Sequence, residues 1–127
     1  MRKRKFFQFG FSVIATMFIV FLTAGLNAVN AQTAPALSAP TGAGDGGHNA
    51  EGIQHYNKAH WGKAEEHFRE AVKADPKLAE AHYNLALSLD KLGKHREAVK
   101  FFGSAFKLAP DNPSIAGSKI LKAHLGM

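Results

Sequence analysis

Residues 64–76 read AEEHFREAVKADP, and residues 98–110 read AVKFFGSAFKLAP. Laid over each other at an offset of 34, they agree at Ala64/Ala98, Phe68/Phe102, Ala71/Ala105, Lys73/Lys107 and Pro76/Pro110; upstream, Gly52 falls on Ala86. Ala64, Phe68, Ala71 and Val72 recur at i, i+4, i+7 and i+8, one stripe of a 3.6-residue helix, and Ala98, Phe102, Ala105 and Phe106 repeat it. Small residues at Gly52, Ala64, Ala86 and Ala98 let paired helices approach closely, while Phe68 and Phe102 fill the space between pairs. Pro76 and Pro110 stop the second helix of each pair, since proline drives its predecessor out of the α region. Gly62 and Gly93 mark the turns within pairs. The pattern predicts helices over about 49–59, 62–74, 79–92 and 95–108.

A fifth segment, 113–125, carries an apolar face of Ile115, Ala116, Ile120, Leu121 and Ala123 and a wet face with Lys119 and Lys122. No partner helix follows it, which is the form expected of a helix that covers the last face of a stack.

These residues resemble the tetratricopeptide repeat family, a 34-residue helix–turn–helix unit. The eighth, twentieth, twenty-fourth, twenty-seventh and thirty-second positions of that unit fall on Gly52, Ala64, Phe68, Ala71 and Pro76 in a repeat spanning 45–78. In a second repeat, 79–112, they fall on Ala86, Ala98, Phe102, Ala105 and Pro110, with Leu85 and Leu89 matching as well. His48 and His82 replace the usual tryptophan, and Glu51 and His55 stand where the first repeat should hold leucine and an aromatic residue.

The resemblance implies an all-α, right-handed solenoid of about five helices. It also implies a non-enzymatic protein–protein interaction module whose concave wall takes a peptide or partner helix. Asn49, Ile53, Tyr56 and Asn57 of the first repeat and Tyr83, Asn84, Leu87 and Lys91 of the second would line that wall. No cation stands at Asn49, Ile53, Ser114 or Ser118, so a clamp for a C-terminal carboxylate is not expected. About three repeats are normally wanted for a stable stack, so two repeats and a cap are expected to self-associate or to finish their stack on a partner.

The formal charge of +6 suggests a nucleic-acid partner only until it is located: Arg2, Lys3, Arg4 and Lys5 hold four of the sixteen cations, leaving 12 basic against 10 acidic residues. No nucleic-acid partner is expected from that balance. An apolar run from Phe6 to Leu22 follows the basic start, and no ionisable residue appears before Asp45. This is the pattern of a signal peptide over residues 1–31, with small Val29 and Ala31 placing cleavage before Gln32. An uncleaved signal would instead anchor the chain in a membrane. Both readings export the remainder, most simply to a bacterial periplasm, with anchoring on the inner membrane or secretion as alternatives. Residues 32–47 hold one large aliphatic side chain among Ala, Pro, Gly, Ser and Thr and read as a flexible linker. The domain proper is then 48–127.

No phosphate-binding glycine loop, serine elbow or His-Glu-x-x-His pair is present, and with zero cysteines thiolate chemistry is excluded. No catalytic residue and no cofactor is assigned. The seven histidines, His48, His55, His60, His67, His82, His95 and His124, include no pair three or four apart. No single helix therefore turns two imidazoles to one point, and no metal site is assigned, although convergence across helices stays open. Titration together in an acidifying exterior would give a pH-responsive binding protein instead.

Overall fold

Helices form where the stripes predict them. The structure, a computed structural model, describes residues 33–127; the expected leader lies outside these residues. Pro35–Met127 form one unit, to which everything below refers. Its helices are α1 (His48–Asn57), α2 (Trp61–Ala74), α3 (Ala79–Lys91), α4 (His95–Leu108), α5 (Pro113–Ala116) and α6 (Lys119–Leu125). There is no strand among the described residues. α1 pairs with α2 and α3 with α4, α2 packs on α3, and α6 lies against α4.

The residues shared between the two copies are the core. Ala64, Phe68, Ala71, Ala98, Phe102 and Ala105 are all fully buried. Gly52 is needed because a Cβ there would stand 2.5 Å from the Phe68 ring, so only glycine lets α1 sit on that ring. Phe102 meets Tyr83 edge-on at 5.7 Å between centroids. The central helix α3 is buried from Ala81 through Leu89 on every side, as expected of a helix flanked on all faces.

Both hairpins close in the same way. His60 N–H donates to the His55 carbonyl and Lys94 N–H to the Leu89 carbonyl, with Ala59 and Gly93 in the left-handed region at φ 59° and 75°. This is the usual left-handed helix exit. Gly62, expected in the first turn, lies instead in the first turn of α2; alanine takes the left-handed place that glycine takes in the second repeat.

Two further expectations are corrected. The capping segment 113–125 is not one helix: it breaks at Gly117–Ser118, giving six helices among the described residues. Ser118 is extended (φ −65°, ψ 119°), its Oγ accepts the Leu121 N–H at 3.4 Å to cap α6, and it also bonds the Tyr83 hydroxyl at 2.8 Å. One local and one distant partner for the same hydroxyl outweigh continuation of the helix. The linker, from Pro35 onward, is not a free spacer. Ala39 and Ala43 pack on Ala71, Leu78 and Ala81 at the α2–α3 junction, and Asp45, 6% exposed, accepts the Asn49 N–H at 2.9 Å in the first turn of α1. Its composition buries little by itself; a surface supplied by other elements lets it dock.

Candidate peptide-binding face

α1 and α3 lie side by side and bring Asn49 and Asn84 together, both fully buried, with Asn84 Nδ2 donating to Asn49 Oδ1 at 2.8 Å. Between them runs the backbone of Leu37. Leu37 N–H donates to Asn84 Oδ1 at 2.7 Å, and the Leu37 carbonyl accepts Asn84 Nδ2 at 2.7 Å and Asn49 Nδ2 at 3.0 Å. The Asn84 amide thus pairs with the main chain of one residue through both its oxygen and its nitrogen, and Asn49 adds a second donor. Each such bond is worth about 1 kcal/mol net, and a partner left buried and unpaired costs about 1–3 kcal/mol. The Asn49 main chain is itself held by Asp45, so the clasp is supported from behind.

The other six residues expected on this wall are placed differently. Ile53 is half-buried. Tyr56, 2% exposed, meets Trp61 edge-on at 4.9 Å, and burial, then the neighbouring Tyr83 and Asp90, raise its phenol pKa. Tyr83 is equally buried and ends on Ser118; burial raises its pKa against the opposing effect of that hydrogen bond. Leu87 is buried. Asn57 and Lys91 are exposed, with the Lys91 ammonium 5.8 Å from the Trp61 ring centroid. Asn49 and Asn84 are therefore the pair that meets main chain, while the tyrosines and Leu87 are packing.

The sequence pattern could not supply the segment occupying the clasp, because nothing local ties Leu37 to a residue forty-seven positions away. It also missed two histidine–carboxylate clusters that form only across helices. In one, His67 Nδ1 lies 2.9 Å and His48 Nδ1 3.9 Å from Glu51 Oε2. His55 stacks on His67 at 5.2 Å between ring centroids; desolvation, with His67, His60, Lys58 and Lys63 around it, lowers its pKa. At an offset of 34, Glu51, His55 and His67 correspond to Leu85, Leu89 and Phe101. The first hairpin thus puts polar groups where the second packs apolar ones, as an end repeat must. The second cluster joins Asp90, His95 and His124.

On the other flank, α2 and α4 are tied by Glu65. Lys94 Nζ donates to both its oxygens at 2.9 and 3.0 Å, and Arg69 bonds both Glu65 (2.8 Å) and Glu97 (2.7 Å). Burial pushes the Glu65 carboxyl pKa up, but the hydrogen bonds and charges of Lys94 and Arg69 prevail and hold it below its ordinary value.

Residues 79–112, which span α3, α4 and the turn beyond them, match the tetratricopeptide repeat family. The second hairpin is thus similar to a tetratricopeptide repeat, and the first buries Ala64, Phe68 and Ala71 at the positions where the second buries Ala98, Phe102 and Ala105. No curated protein matches the chain.

Proposed function

We propose that this protein is an exported, non-enzymatic interaction module that holds the main chain of a non-helical peptide segment between α1 and α3. The observation that carries this reading is the pairing of Asn84 with both the N–H and the carbonyl of Leu37. Asn49 and Asn84 are buried amides whose hydrogen-bonding capacity is spent on a passing backbone rather than on their own helices. The chain's own segment is the resident occupant, and a partner peptide takes its place by offering the same backbone groups. The basic start and apolar run of residues 2–22 support export.

The test uses a labelled peptide of residues 33–44 as probe and the full chain carrying Leu37→Pro, which removes the N–H that Asn84 receives. Fluorescence anisotropy should show the probe binding this variant more tightly than wild type. Adding Asn84→Ala should weaken that binding roughly tenfold or more, as loss of paired, buried hydrogen bonds predicts. Binding indifferent to Asn84→Ala, or no binding to Leu37→Pro, would overturn the proposal.

A further inference from the structure

Asp90 near the end of α3, His95 at the start of α4 and His124 in α6 converge on one point. His95 Nδ1 lies 2.9 Å and His124 Nε2 2.8 Å from the same oxygen, Asp90 Oδ1, and the three atoms all lie within 4.8 Å of one another. The side chains of Asp90 and His124 are 17% and 18% exposed and that of His95 66%, so the cluster is sheltered on two sides and open on the third.

The second nitrogen of His124 sets the chemistry. Its Nδ1 lies 2.9 Å from the Ile120 carbonyl, which only accepts, so Nδ1 carries the proton. A neutral ring then turns the bare Nε2 lone pair toward a carboxylate oxygen at contact distance. Two acceptors meet there, and the contact requires a positive species: a second proton on the ring or a metal ion. A ring anchored through Nδ1–H to a backbone carbonyl, with Nε2 free, is how proteins orient histidine ligands. Two imidazole nitrogens and one carboxylate oxygen form a donor set suited to zinc-class ions, with a further position left on the open His95 side.

We propose that Asp90, His95 and His124 bind a divalent transition-metal ion of the zinc class, and that the ion fastens α6 to the last hairpin. Tetrahedral ligands about 2.0–2.1 Å from zinc stand roughly 3.3 Å apart, so each nitrogen withdraws a few tenths of an ångström from Asp90 Oδ1 while the two nitrogens, within 4.8 Å of each other, settle to that spacing by side-chain rotation. The site is separate from the Asn49–Asn84 clasp and does not depend on it.

The test adds Zn2+ to the full chain near neutral pH and follows amide hydrogen exchange in residues 119–125 by mass spectrometry. Zinc should slow exchange there. Asp90→Asn, which preserves shape, and His124→Gln should each raise the zinc concentration required at least tenfold, while His48→Gln with His67→Gln should leave it unchanged. The proposal is overturned if zinc gives no protection in 119–125 or if protection survives both Asp90→Asn and His124→Gln. Equal protection on lowering the pH to about 5.5 without metal, with no added effect of zinc, would assign the cluster to a proton and overturn it too.

Discussion

Ala59 and Gly93 occupy the same turn in successive hairpins, both in the left-handed region. An L-residue there pays a steric cost that glycine does not. Ala59→Gly should therefore raise stability by roughly 0.5–1 kcal/mol, whereas Gly93→Ala should lower it by about 1 kcal/mol. Chemical denaturation of the two variants checks this, and a shared sign would refute it. The pair also shows where single-residue reading succeeds and fails. Gly93 was legible as a turn because glycine advertises left-handed backbone; Ala59 was not, because alanine is at home in a helix, and nearby Gly62 drew the assignment. His82 is a similar case. Its place in the family pattern belongs to tryptophan, yet it is buried because its Nε2 donates to the Pro76 carbonyl at 2.8 Å, a bond no spacing rule foretells.

At the scale of elements, the hairpins were legible because their boundaries follow from contacts three, four and seven residues apart. The capping segment was legible as apolar but not as broken, since the break depends on Tyr83 reaching Ser118 from thirty-five residues away. The docked segment was the least legible element: its residues are small and weakly apolar, and the surface that orders them is built by α2 and α3. Helix-to-helix ties also set the response to acid. His55 and Glu65 both have folded-state pKa values lowered from 6.5 and 4.5. For either group the unfolded chain takes up its proton first, so stability is full above the unfolded value and is lost as pH falls through the folded one. Melting temperature should therefore decline in two stages, the first beginning near pH 6.5 and the second below about pH 4.5. Glu65→Gln should shrink the lower stage, leaving the part that Glu66 contributes through Lys63, and should leave the upper one, as calorimetry across pH would show.

For the whole molecule, the central expectation is that the chain acts beyond the membrane. If residues 1–31 are removed on export, N-terminal sequencing of protein recovered from the native envelope should begin at Gln32; a chain retaining Met1 would indicate a tether instead. Cleavage there would leave the Leu37 segment as a short leading tail, free at one end and joined to α1 at the other. The polar face of the first hairpin bears on assembly as well. Glu51, His55 and His67 offer a second copy little apolar area, so end-to-end stacking at that face is discouraged.

Leu37 lies only eight residues before Asp45, whose carboxylate holds the Asn49 N–H in the first turn of α1, so the occupant of the clasp is leashed to its own receptor. So short a leash holds the tail at a local concentration of about millimolar. On the proposed function, an outside ligand would compete with that concentration at every encounter, and a rival present at micromolar levels would have to match the clasp roughly a thousandfold better than the tail to win half of the sites. Weak and accidental ligands would thereby be screened out, and the length of the leash would set the threshold.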